Sequence, residues 1–267
     1  MKKFIVLDKS FLQGAPKSRI ESLGELYGLL MPEEMLYEMV KAHPADRAKF
    51  FMKFPSTARP FELSKNLGSL LRYEKENLRS CGLPSQQIRN IDHAPTKDYQ
   101  NPEYVLPDEL TTQRESRKSQ VDEDMERLVW MTENIGDIFP ETRETAPKYR
   151  ENQRNSLQIK TFTDSTFLKQ ILNEILPLPG SSSTIDHTWI SYRWLQVNML
   201  FALDYWVRYP QGIDLSTESK LKERIRHDAL DAGILIVGLQ EGALATKEKK
   251  LINWWEGIYP EGLLLEA

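Results

Sequence analysis

Four carboxylates stand at comparable points of this chain. Asp8 ends the apolar run FIVL, Glu38 lies in PEEMLYEMVK just after the run YGLLM, Asp231 lies in a helical stretch before ALAT, and Glu248 follows ALAT. A single aspartate behind a strand commonly caps the next helix or opens a turn. Recurrence suggests chemistry instead. If the strands are parallel neighbours, Asp8 and Glu248 leave the sheet at one edge, where open α/β sheets place their sites, and two helices bring Glu38 and Asp231 over it. Such a cluster repels itself unless a cation occupies it. Clustered carboxylates select hard divalent ions such as Mg²⁺ or Mn²⁺, which suit phosphodiester hydrolysis. Asp8 and Asp231 are the leading direct ligands, while Glu38 and Glu248 bind directly or through water. Asp228, three residues before Asp231 and on the same helix face, can assist or replace it. Ser10 and Thr246 flank Asp8 and Glu248 with hydroxyls able to orient a carboxylate.

Charge and residue counts narrow the alternatives. The 35 basic and 39 acidic residues give a net charge of −4, so no global positive field advertises nucleic acid or an anionic membrane. A polyanion needs a local basic patch or a metal ion. Lys9, Lys247, Lys249 and Lys250, with Lys222, Arg224 and Arg226 on the preceding helix, either hold phosphates or form a solvated face. Asp204 continues the apolar stripe Ile190, Trp194, Val197 and Phe201, so it is a buried partner of an arginine or a further acid of the site. The four histidines lack zinc-binding spacing. The single cysteine, Cys81, excludes an internal disulfide and suits a reducing cytoplasm. No glycine-rich phosphate loop follows FIVLD, which disfavours dinucleotide-binding and P-loop enzymes. Ser10 occupies the position where a haloacid-dehalogenase-type phosphotransferase needs its second aspartate.

These residues need a sheet to bring them together. FIVL and YGLLM read as strands buried on both faces, and Ile20, Leu23 and Leu26 between them space a short amphipathic helix. Pro32 introduces a helix with acids near its positive end. Strand, helix, strand, helix implies a parallel sheet. The tail has the same texture: ESKLKERIRHDALDAGILIVGLQEG is one helix or two closed at Gly242, ALAT a strand, LINWWEGIY a helix and GLLLE a last strand. Residues 1–44 and 216–267 therefore read as an α/β core. Residues 45–215 read as a mainly helical insertion or subdomain. Within it, 91–127 is rich in charge and polar groups and predicts a long or partly disordered loop. LPLPGSSST, 176–184, is a breaker, and 189–209 is a helix apolar on nearly every face, whose aromatics pack a core, meet a partner or stack on bases. No segment approaches a membrane span.

FIVLDKSFL resembles the opening of PIN and PIN-like ribonuclease domains, in which a hydrophobic strand ends in Asp with a small hydroxyl residue two positions later. LLMPEEMLYEMVK is similar to their second strand and helix, the family's Glu falling on Glu38 rather than Glu33 or Glu34. DAGILIVGLQEGALATKEKKL resembles the third motif, an Asp-led helix ending in Gly before a strand that closes with Thr, x and an acid. That match puts the third acid on Asp231 and the fourth on Glu248, where many members have Asp. The resemblance covers the two ends of the chain and gives no account of the middle. It implies a PIN-like central parallel sheet flanked by helices, a Mg²⁺ or Mn²⁺ cofactor, and a cytoplasmic endoribonuclease cutting RNA, whether toxin or defence or stress effector. The alternative is a non-catalytic PIN-like binding protein that holds a partner with its helical middle. A cytoplasmic nuclease also needs restraint, from an inhibitory or regulatory protein, from a homo-oligomer built through the helical region, or from the polar loop.

Overall fold

FIVL forms the strand Phe4–Leu7 (β1), with Ile5, Val6 and Leu7 buried, because a strand flanked by parallel neighbours and covered by helices has no wet face. The computed structural model describes residues 2–91, 93, 95–175, 185–215 and 219–267. After β1 come helices Lys9–Gly14 (α1) and Lys17–Leu26 (α2), strand Gly28–Met31 (β2), and helices Glu33–Lys41 (α3) and Pro44–Phe51 (α4). Strand Glu62–Ser64 (β3), helix Leu67–Asn77 (α5), strand Ile88–Arg89 (β4) and helix Pro95–Asp98 (α6) follow. The middle continues with Asp108–Glu133 (α7), Ile135–Ile138 (α8), Arg150–Thr163 (α9), Ser165–Ile175 (α10) and Ile190–Arg208 (α11). Helix Ser219–Glu241 (α12), strand Ala243–Thr246 (β5), helix Lys249–Ile258 (α13) and strand Leu263–Glu266 (β6) complete the chain.

The strands of the described residues form one sheet in the order β4-β3-β2-β1-β5-β6. All pairs are parallel except β3 with β4. From β1 the chain moves outward through β2 and β3, and it later returns to the other flank of β1 as β5. The order therefore reverses at the seam between β1 and β5, where Leu7 lies opposite Ala245. In open α/β sheets the crevice beyond the carboxyl ends of the strands at such a seam is where ligands bind. Asp8 and Glu248 both leave the sheet there.

Helix α12 leads into this seam as one uninterrupted helix. Gly242 follows it with φ of 81° and donates its N–H to the Gly238 carbonyl at 2.8 Å, the left-handed helix stop that a side chain would strain. Helix α11 packs on α12, α9 and α7 and is buried at every residue from Ile190 to Trp206. Its aromatic residues are core, which leaves them no face for stacking bases.

The middle departs from the sequence reading in two ways. Residues 108–127, expected in a long polar loop, belong to α7. Glu, Gln, Arg and Lys are good helix formers without being apolar, and between Leu110 and Val121 the sequence has no apolar residue, so no periodicity marks the beginning of the helix. The middle also supplies β3 and β4, which at three and two residues are too short to leave a pattern. One hydrophobic core joins Ile5 and Leu30 to Phe51, Leu128 and Phe201 of the middle and to Ile236 and Trp255 of the tail. The breaker at 176–184 lies outside the described residues. Among the described residues no helix is long and apolar enough to cross a membrane.

Candidate functional site

Asp8 takes the N-cap position of α1, yet its side chain makes no capping hydrogen bond. Its carboxylate, 2% exposed, is turned to the β1/β5 seam instead. Oδ2 accepts from Thr246 Oγ1 at 2.6 Å and from Ser10 Oγ. Each hydroxyl is aimed by a backbone N–H of the turn after β5: Lys247 N donates to Ser10 Oγ at 2.9 Å and Glu248 N to Thr246 Oγ1 at 3.1 Å. A hydroxyl that accepts from an amide has its own proton left to give, so both are set as donors to Asp8. Both of these bonds fall on Oδ2, and Oδ1 has no hydrogen bond among the described residues, which leaves it able to meet a cation.

Asp231 comes to the same end of the sheet from α12. Burial, then the negative charges of Asp8, Asp228 and Glu248, raise its pKa well above the usual carboxylate value, while Lys250 opposes them. The charges of three acids thus reach a fourth, and that of Lys250 works against them. Among the described residues Asp231 has no hydrogen bond or ion pair, although it keeps part of its surface open. Glu248 is exposed at the N-cap of α13. Asp228 differs from both. Its Oδ2 accepts from the Tyr205 hydroxyl and its Oδ1 from Lys250 Nζ at 2.9 Å. Burial and then the Asp228 charge push the Tyr205 phenol far above its ordinary range, so this hydroxyl stays a proton donor.

Glu38 is not among the charges that act most on Asp231. It is 4% exposed, and its carboxylate lies between Lys9 Nζ, at 2.8 Å from Oε2, and Lys41 at Oε1. Burial raises its pKa, but the hydrogen bonds and charges of Lys41 and Lys9 outweigh that and hold it below the usual value. Glu38 is therefore neutralised by lysines and, as it stands, holds Lys9 beside Asp8. Lys41 was visible in the sequence as an i, i+3 partner of Glu38. Of the other two acids on α3, Glu33 pairs with Arg89 at 2.6 Å. Glu34 faces a small cavity of about 20 Å³ shared with Asp124, Arg127 and Asn198.

The remaining candidates divide into engaged and free groups. Arg226 is drawn away to α7 by Asp122, at 2.5 Å. Asp204 is held by Arg154, Gln158 and Arg208 at 3.4–3.5 Å, a structural ion pair apart from the acids. Lys247 and Lys249 are exposed at the start of α13 and have no ion pair among the described residues. Burial pushes the Cys81 thiol up to about 12, which makes it inert as a nucleophile. Tyr205 escaped sequence reading because its partner lies 23 residues away on another helix.

The donor set decides whether a divalent ion suits this place. Among the described residues no group of three or more acid, histidine or cysteine side chains stands together as a metal cage. Mg²⁺ does not require one, because it is commonly held by one or two carboxylates and keeps several waters. Asp8 through its open Oδ1, and the unpartnered Asp231 whose charge Asp8 opposes, fit that requirement. Glu248 is exposed, whereas Glu38 and Asp228 are occupied by lysines. Comparison of the chain with protein-family models, curated proteins and solved structures finds no match.

Proposed function

We propose that this protein is a divalent-metal-dependent phosphodiesterase of PIN-like type, an endoribonuclease whose site is the β1/β5 seam. The observation that carries the reading is the pair formed by Asp8 and Asp231 at the carboxyl ends of the central strands, one carboxylate half open and the other unpartnered. Bound Mg²⁺ or Mn²⁺ would lower the pKa of water and polarise the scissile phosphate. The chain's own part is to hold that chemistry in place. Ser10 and Thr246 fix the Asp8 carboxylate through Oδ2 and leave Oδ1 without a donor among the described residues. Asp231 supplies a second oxygen ligand, and Glu248 stands at the rim for a water or a more distant contact. Lys9, kept beside Asp8 by Glu38, and the exposed Lys247 and Lys249 supply positive charge for the phosphates on either side of the cut.

One observation favours a second reading. Glu38, the acid that the PIN-like resemblance assigns to metal, is neutralised by Lys9 and Lys41, as expected of a chain that keeps the fold for binding and no longer cuts. The two readings separate in one assay: cleavage of labelled single-stranded RNA by the pure protein with Mn²⁺, Mg²⁺ or EDTA, beside Asp231→Asn. Metal-dependent cutting that disappears in the variant supports the nuclease. Absence of cutting together with absence of Mn²⁺ binding by calorimetry supports the binding protein.

A further inference from the structure

The acid group holds a cation of its own. Lys250, in the first turn of α13, gives its ammonium to Asp228 Oδ1 at 2.9 Å and lies 4.6 Å from the ring centre of Phe201 and 5.5 Å from that of Trp254. Tyr205 braces Asp228 from the other side through Oδ2. Three helices, α11, α12 and α13, therefore fix one ammonium between a carboxylate and two aromatic faces, an arrangement that holds the lysine in one place. The lysine side chain remains 25% exposed, and Asp228 uses only one of its three N–H donors. Lys250 follows Glu248 by two residues, and its partner Asp228 stands one helical turn from Asp231. The fixed ammonium thus borders the place where Asp8 and Asp231 meet.

Resting on the phosphodiesterase reading above, we propose that Lys250 is a catalytic residue whose ammonium contacts a non-bridging oxygen of the scissile phosphate, with Asp228 and Tyr205 as its positioning residues. Phosphoryl transfer gathers charge on the equatorial oxygens, and a cation already locked in place stabilises it without reorganising. The same positive charge opposes a divalent ion held by Asp8 and Asp231. Removing it has opposite effects on the two measurable quantities.

The test uses the full chain, with Mn²⁺ calorimetry and cleavage of a labelled single-stranded RNA run on wild type, Lys250→Met and Lys250→Gln. Circular dichroism confirms that each variant is folded. The Gln variant removes the charge and keeps a hydrogen bond to Asp228, so it carries the test if the Met variant does not fold. The expected result is cleavage slowed about 10²–10³-fold, as for loss of one preorganised donor, with Mn²⁺ bound about tenfold more tightly. Cleavage at the wild-type rate by a folded variant overturns the proposal. So does slower cleavage without tighter Mn²⁺ binding, which assigns Lys250 a purely structural ion pair. If the wild type neither binds Mn²⁺ nor cuts RNA, the phosphodiesterase reading itself has failed and the role of Lys250 with it.

Discussion

Thr246 Oγ1 donates to Asp8 Oδ2 at 2.6 Å across the seam between β1 and β5, joining residues 238 positions apart. Thr246 is fully buried, and its hydroxyl also accepts the Glu248 amide, so one side chain locks the central strand, the Asp8 carboxylate and the turn into α13. Thr246→Val keeps the shape and deletes both bonds. The expected cost is about 2 kcal/mol, the scale of a buried hydrogen bond to a charged acceptor. Urea unfolding at neutral pH should show a lower midpoint with an unchanged slope. A midpoint equal to wild type would mean that Ser10 alone suffices to hold Asp8.

Asp231 is the residue where stability and activity should part. Its charge is opposed by burial and by Asp8, Asp228 and Glu248, so Asp231→Asn relieves repulsion and should raise Tm in EDTA. Added Mn²⁺ should raise the Tm of the wild type, because an ion that binds only the folded state stabilises it in proportion to the logarithm of its concentration over Kd. The variant should show little of that rise. Equal Mn²⁺ stabilisation of both proteins would place the ion away from Asp231.

Much of this frame was legible because the ends of the chain obey local rules. FIVL and the first three residues of ALAT are unbroken apolar runs that begin or end at a charge, a glycine or a threonine, and a helix such as α12 announces its stop with Gly242. The acids Asp8, Asp231 and Glu248 could be placed at one sheet edge from element order alone. What escaped depends on partners distant in sequence. Nothing local shows that Glu38 would be taken by Lys9, that Arg226 would turn to Asp122, or that Tyr205 would brace Asp228. Helix α7 escaped for a different reason: the sequence of its first half is polar, forms a helix by propensity and has no apolar spacing to reveal it.

The division of cations makes a prediction about nucleic-acid binding. Lys247 and Lys249 are exposed and unpaired among the described residues, whereas Arg226 is committed to Asp122 and Glu223. Lys247→Ala and Lys249→Ala should each weaken binding of single-stranded RNA similarly across sequences and reduce the salt slope of log K by about 1. Arg226→Ala should leave that slope unchanged and lower stability by loosening α12 from α7. Fluorescence anisotropy between low and moderate salt, done in EDTA to prevent cutting, reads the slopes. An equal loss of slope for Arg226→Ala would show that RNA displaces Asp122.

Glu34 offers a pH test at the cavity between α3 and α12. Burial foremost, and then the charges of Glu33 and Asp124, raise its pKa against hydrogen bonds from its own backbone and from Leu67. Its Oε2 is buried without a hydrogen bond among the described residues. The folded state therefore keeps a proton that the unfolded chain gives up near the ordinary value of 4.5. Stability attached to that proton is present in full below the unfolded pKa and declines as pH rises to the folded one, because over that interval the native state binds more protons than the unfolded state. Glu34→Gln resembles the protonated carboxyl at every pH. Its Tm should exceed that of the wild type at neutral pH, and the gap should close as the pH is lowered toward 4.5. Calorimetric scans in EDTA across about pH 4 to 8 follow the gap directly. A gap of constant size would trace the difference to packing around the cavity shared with Asp124 and Arg127 rather than to the charge of Glu34.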